Sequence, residues 1–236
     1  MTVAREMELS FRTFGLSDAD DYHPAACDPW RAGGLAMTMP DGLAIETPLY
    51  GEHQARNVLA AVCAARLNGV PDDRIAEALR AFEPPKGRFA PAVVNDVLLI
   101  DDTYNANGAS TSAALTFLER GAIRGKRMLL LGDMLELGHE ERAAHRAAGA
   151  EAAAAGIDRL YLWGERVRDV AEAAIAAGMG EDAVTGPGTT EDELVAAITR
   201  DLAAGDCLVV KGSRGMRMER FLDAIKKVLT ERGGGA

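Results

Sequence analysis

Asp101 and Asp102 stand side by side in LLIDDTYNANGAS (98–110), with Tyr104, Asn105 and Asn107 close behind. The apolar run through Ile100 suits a buried strand, and the small polar residues beyond it lead toward a helix. A carboxylate at the carboxyl end of a strand can accept both hydroxyl hydrogens of a ribose. It can also hold Mg²⁺ through oxygen ligands. One aspartate there reads as a turn cap, whereas an adjacent pair with a tyrosine and two asparagines points to a ligand. A phosphatase of the DxDxT type needs its aspartates two apart, and these are adjacent.

Two further strand-to-loop junctions carry polar groups. GDMLELG (132–138) places Asp133 and Glu136 at the same sheet edge as Asp102 if the strands are parallel, with loop turn chemistry as the competing reading. VVKGSRGM (209–216) joins a strand to a helix through glycines and reads as an anion nest charged by Lys211 and Arg214. A solvated basic turn competes with it. GAIRGKR (121–127) is a decoy: the P-loop spacing is one residue short, Arg127 replaces the hydroxyl, and a strand follows. His139 and His145 are six apart and share no helix face as metal ligands.

The elements that must position these groups are legible from periodicity. Asp41-Gly42 between partly alternating segments marks a two-residue hairpin. HQARNVLAAVCAARLNGV reads as a helix stopped at Gly69, and PDDRIAEALRAF as another, with Ile75, Ala78, Leu79 and Phe82 on one face. EPPKGR then breaks any helix, which places a domain boundary there. Beyond it, apolar strands at Val93–Ile100, Met128–Leu131, Leu160–Trp163 and Cys207–Val210, and a weaker one near Ala183–Thr185, alternate with helices. The helices fall near 111–120, 140–155, 166–177, 190–204 and 216–230. Thr190 and Glu193 are spaced as a capping box, with Gly205 after the last turn. The pattern is α/β: a Rossmann-like, mostly parallel sheet with helices on both faces. Residues 1–30 carry only weak strand signals, two helices and a hairpin close no core, and the final GGGA is expected to be mobile.

With 236 residues, 48% of them apolar and 26% charged, the chain can bury a real core and is not a disordered segment. A net charge of −10 without a basic block argues against nucleic-acid binding by broad electrostatics. No run approaches the ~18 apolar residues of a membrane span. Cys63 and Cys207 lie in apolar runs and read as small buried hydrophobes. The odd cysteine count without a signal peptide points to a reducing compartment, so a cytoplasmic location is expected, and a monomer is expected as well.

Taken in order, GEHQARNVLAAVCAARLNGV, KGR, IDDTYNAN, LLLGDMLELG with its Glu-rich, His-containing helix, and VVKGSRGMRMER resemble the Mur ligases. Within that family they resemble the branch that adds D-alanyl-D-alanine to a UDP-N-acetylmuramoyl tripeptide in peptidoglycan precursor synthesis. The likeness runs from about residue 11 to residue 228. It implies that 1–85 is an incomplete C-terminal portion of a central ATP-binding domain and that 86–236 is the family's C-terminal Rossmann-like domain. The family's UDP-sugar domain, P-loop, Mg²⁺-binding residues and modified lysine lie upstream, so no catalytic or metal-binding residue is expected here. The implied reaction uses ATP and Mg²⁺: the tripeptide carboxylate becomes an acyl phosphate, the dipeptide amine attacks it, and phosphate leaves. By resemblance Asn57 reads the adenine, Arg88 touches the ATP ribose or phosphates, and Asp102 holds the ribose hydroxyls. Tyr104, Asn105 and Asn107 face the dipeptide or ribose, and Lys211, Ser213 and Arg214 make polar or anion contacts. His53-Gln54 departs from the family's usual His-Asn. Two other readings stand beside this one: a non-catalytic nucleotide-binding module, and a Mg²⁺-dependent phosphotransfer domain using Asp101, Asp102 and Asp133. The chain alone is expected to bind ATP weakly and turn over nothing.

Overall fold

In the computed structural model, residues 11–233 are described, so the strand signals before residue 11 and the tail residues 234–236 lie outside them. The chain divides into two units, Met1–Glu83 and Pro84–Ala236.

In the first unit, β1 (Ala26–Asp28), β2 (Leu35–Thr38) and β3 (Ala44–Thr47) form an antiparallel sheet in that order. The β2–β3 connection is the expected hairpin, but Met39 and Leu43 extend the pairing, leaving Pro40-Asp41-Gly42 as a three-residue loop. Gly42 sits at φ +94°, the left-handed position such loops require. Helices α1 (Glu52–Leu67) and α2 (Asp72–Arg80) follow. Gly69 ends α1 at φ +75°, with the Val70 N–H reaching back to Ala65 O. The expectation that this segment closes no core is corrected: Leu35, Met37 and Ile45 of the sheet cluster with Val58, Leu59, Val62 and Ile75 of the helices.

The second unit is a six-stranded sheet in the order β4-β5-β9-β6-β7-β8. Its strands are β4 (Ala90–Val94), β5 (Val97–Asp102), β6 (Arg127–Gly132), β7 (Arg159–Trp163), β8 (Val184–Thr185) and β9 (Cys207–Lys211). Between them run α3 (Gly108–Arg120), α4 (Glu141–Ala154), α5 (Val167–Ala176) and α6 (Glu191–Asp201), and α7 (Glu219–Gly233) closes the chain. All pairings are parallel except β4–β5. The single strand expected over Val93–Ile100 is therefore two. Asn95 and Asp96, at φ 49° and 62°, turn the chain between them in the manner of a type I′ hairpin. The Thr190–Glu193 capping box is present in both directions.

Alternation along the strands divides the core. Leu99, Leu130, Leu208 and Val210 pack with Leu194 and Ile198 of α6 and Phe221 and Ile225 of α7. Ile100, Leu129, Leu131 and Val209, fully buried on the opposite alternation, face the other side with α3, α4 and α5. Adjacent strands β5 and β9 thus send their chains to opposite faces, β5 into α3 and β9 toward α7. Such a reversal opens a crevice outside the carboxyl ends of the two strands, where open α/β sheets bind ligands.

Both cysteines read as core residues are buried. Burial pushes the Cys207 thiol up to about 12, so it is not a thiolate at neutral pH. The folded protein at pH 8 is expected to leave Cys207 unmodified by a thiol reagent, with reaction only after denaturation; mass spectrometry of the labelled peptides checks this.

Candidate functional site

β5 and β9 end in register, with Asp102 beside Lys211. The side chains face the same side, and Lys211 Nζ donates to Asp102 Oδ2 at 2.6 Å and to Asn105 O at 3.0 Å. The Lys211 side chain is 1% exposed and that of Asp102 16%. Burial pushes the Asp102 carboxyl up from its ordinary value, while the Lys211 ammonium and the Phe89 amide pull it back. Lys211 is therefore held inside the chain, not offered to an anion, and Asp102 is the more exposed member of the pair.

The neighbouring aspartate does something else. Asp101 Oδ1 accepts from the Thr103 hydroxyl at 2.7 Å and its amide at 3.3 Å, and Oδ2 accepts from the Gly87 amide at 3.0 Å. The Tyr104 amide donates back to Gly87 O at 2.9 Å. Arg88, the next residue, lays its guanidinium 4.0 Å from the centre of the Tyr104 ring. Tyr104 is 48% exposed. A cavity of about 620 Å³ opens here, lined by Lys86, Tyr104, Arg214, Asp223 and Lys226 among others.

The loops after β6 and β9 are stitched together. Gly212 approaches the β6 end so closely that a Cβ would lie 3.2 Å from Gly132 Cα and 2.5 Å from Met218 Cγ. The glycine expected to cradle an anion instead lets two strand ends and Met218 pack. Ser213 Oγ accepts from the Leu135 amide at 2.8 Å and donates to Ala106 O at 3.3 Å, so this hydroxyl is committed as well. Arg214 alone of the three KGSR candidates keeps an exposed side chain, with Glu219 at 3.4 Å. Asn107 caps α3, its Oδ1 accepting from the Ser110 amide at 2.9 Å. Asn105 is exposed, with Oδ1 accepting from the Ala106 amide.

Asp133 does stand at the same edge as Asp102, since β5, β9 and β6 run parallel. Its carboxylate is buried and receives the Glu165 and Val167 amides at 3.1 and 3.0 Å, capping α5. Asp101, Asp102 and Asp133 thus each have separate partners, and among the described residues no cluster of three His, Cys, Asp or Glu could hold a metal. The residues present do not fit a Mg²⁺ site, and the phosphotransfer reading loses its metal ligands. His145, passed over as a metal ligand, is fully buried and holds the loop: its Nε2 accepts from the Met134 amide at 3.0 Å, and Nδ1 lies 2.7 Å from Glu141 O. The acceptor role of Nε2 fixes the proton on Nδ1. Its position four residues after Glu141, on a helix entering from a strand-end loop, was the available signal.

Asn57 belongs to the first unit. It is exposed on α1, and its Nδ2 donates to Gln54 Oε1 at 3.1 Å.

Residues 87–214 match the family model described as the Mur ligase, glutamate ligase domain. The UDP-N-acetylmuramoyl-tripeptide–D-alanyl-D-alanine ligase of Bacillus subtilis is 32% identical over 185 residues, which is 78% of this chain and 40% of that protein. The Escherichia coli protein of the same name is 35% identical over 186 residues, 76% of this chain and 38% of the relative. The chain thus spans about two fifths of the length of these curated relatives. A crystal structure of MurF from Acinetobacter baumannii superposes with a TM-score of 0.80 at 25% identity, covering 96% of this chain and 50% of the other. The MurF ligase from Thermotoga maritima in complex with ADP gives 0.78 at 21% identity, covering 98% and 52%, a likeness of fold.

Proposed function

The chain belongs to the Mur ligase family, and we propose that it is the nucleotide-gripping part of a ligase that joins D-alanyl-D-alanine to a UDP-N-acetylmuramoyl tripeptide. The observation that carries this reading is the crevice at the β5–β9 reversal. There Asp102 is anchored by a buried lysine, and the Arg88 guanidinium stands nearby on Tyr104 without a hydrogen-bond partner among the described residues.

The chemistry follows from these groups. Asp102 accepts hydrogen bonds from the ribose hydroxyls, and Lys211 holds its carboxylate in place. Arg88 neutralises phosphate charge, with its N–H donors free because stacking uses only the ring face. Tyr104 and Arg214, both lining the cavity, are our candidates for contact with the dipeptide, and Asn105 is a second polar contact at the crevice. Lys211, Ser213 and Asn107 act behind them by fixing strand ends and the α3 cap. Asn57 on α1 reads the adenine. ATP supplies the phosphoryl group that converts the tripeptide carboxylate to an acyl phosphate; attack by the dipeptide amine forms the amide and releases phosphate. This chain contributes charge neutralisation and positioning to that reaction. Such a reaction, on a nucleotide-linked precursor with ATP, belongs in the cytoplasm.

Phosphate release tests the proposal. With ATP, Mg²⁺, UDP-N-acetylmuramoyl tripeptide and D-alanyl-D-alanine, the chain alone is expected to give none. Addition of a separately expressed N-terminal half from a relative should produce release that depends on both the tripeptide and the dipeptide. Failure of a folded, associated pair would favour the non-catalytic binding module.

A further inference from the structure

The adjacent carboxylates at the end of β5 have different tasks, and Asp101, which lines the cavity with Gly87 and Tyr104, has no place in the reaction as described. Asp101 spends both oxygens inside the chain, one on Thr103 and the other on the Gly87 amide, fourteen residues earlier. Gly87 is buried and is held from the other side by the Tyr104 amide on its carbonyl. Its φ is +76°, and a Cβ there would lie 3.0 Å from the Tyr104 amide nitrogen and 3.2 Å from its Cβ, so the contact is backbone to backbone and close. The following residues are held too. The Arg88 amide donates to Pro85 O at 3.1 Å, and Phe89 packs edge-on against Phe117 at 5.1 Å. Arg88 is exposed between these fixed neighbours, and its guanidinium lies over the Tyr104 ring at 4.0 Å.

We propose that Asp101 and Tyr104 are positioning residues that convert the Lys86–Phe89 loop into a fixed arm of the second unit and aim the Arg88 guanidinium at the crevice beside Asp102. A flexible arginine on an exposed turn loses conformational freedom when it binds a phosphate. An arginine already stacked, on a backbone clamped by a carboxylate, has met most of that cost before ligand arrives. Asp101 acts through the Gly87 amide, and Tyr104 acts through both its amide and its ring. Neither needs to touch the nucleotide, and this role of Tyr104 is separate from its proposed contact with the dipeptide. This inference rests on the nucleotide reading for its consequence, but the clamp itself is independent of any ligand.

The test therefore has two arms on the full chain. In the first, the Arg88 Nε–H resonance of the ligand-free protein is observed by NMR. The Tyr104 ring current is expected to shift it from the random-coil position. Tyr104→Leu and Asp101→Ala should each return it toward that position and speed hydrogen exchange at the Gly87 amide, while Asp101→Asn, which keeps an acceptor oxygen, should preserve much of both. A merely structural aspartate would leave the resonance of an exposed arginine where it was, and an unchanged resonance and Gly87 exchange rate in Asp101→Ala would overturn the proposal. In the second arm, ADP is titrated into the wild type, Asp101→Ala, Arg88→Ala and the double variant. If Asp101 works through Arg88, its replacement weakens ADP binding by about threefold to tenfold in the wild type and changes nothing further once Arg88 is gone. Equal effects in both backgrounds would contradict the proposal. Loss of the clamp in the first arm with no effect of Arg88→Ala on ADP would instead count against the nucleotide reading and leave the positioning of Arg88 standing.

Discussion

Asp102→Ala is expected to lower the stability of the second unit by about 3–5 kcal/mol, because it leaves a buried ammonium without its counter-charge. The Lys211 side chain is 1% exposed and has two partners, the Asp102 carboxylate at 2.6 Å and the Asn105 carbonyl at 3.0 Å. With the carboxylate gone, one neutral carbonyl remains to solvate a full charge inside the sheet. Lys211→Met should cost less: the Asp102 side chain is 16% exposed and within reach of water, and the nearby Phe89 amide favours its charged form. The double variant Asp102→Ala/Lys211→Met should recover most of the loss, since a buried ion pair replaced by apolar groups is often close to neutral. Urea unfolding of the three variants measures this. A loss below about 1 kcal/mol in Asp102→Ala, the level of an exposed ion pair, would mean that Lys211 finds water in solution.

Arg88→Ala should show the opposite profile. Arg88 is exposed and its guanidinium is stacked on an exposed ring, so its removal is expected to change stability by no more than about 0.5–1 kcal/mol. The expected effect falls on catalysis. Removing one preorganised donor from developing charge typically lowers turnover by about 10²–10³. Phosphate release by the reconstituted ligase should fall by that order. Arg88→Lys should fall between, since it keeps the charge but loses the planar face that stacks on Tyr104. A tenfold or smaller loss in Arg88→Ala would place the phosphate-neutralising group elsewhere. The pair of variants separates two kinds of failure that an activity assay alone would merge: a sheet edge that has come apart, and an intact edge without its cation.

Much of this arrangement could be read from residue order. Strands β6, β7 and β9 are apolar runs bounded by glycine and polar residues, and the α6 capping box is a local signal that survives any tertiary context. Parallel strands then bring Asp102, Asp133 and Lys211 to one edge, as alternation of strands and helices requires. What was not legible depends on partners distant in sequence. A lysine ending an apolar strand reads as solvated, and only the meeting with Asp102, 109 residues away, allows its burial. Residue type alone does not separate Asp101 from Asp102, and only the family resemblance singled out Asp102; the strand's alternation turns one toward Gly87 and the other toward Lys211. The β4–β5 hairpin was hidden because Asn95 and Asp96 interrupt an apolar run by only two residues, and the left-handed turn they adopt is not encoded by a glycine. Gly212 read as an anion cradle because a glycine needed for close packing looks the same as one needed for a ligand.

The first measurement to make is the hydrogen-exchange footprint of ADP on the 236-residue chain at saturating nucleotide. Within the second unit, slowed exchange confined to residues 86–89 and 101–106, and lost in Asp102→Asn, is the expected result for a nucleotide held at the β5–β9 reversal. Protection elsewhere in the second unit with those segments unchanged, or no protection at any concentration, would contradict it.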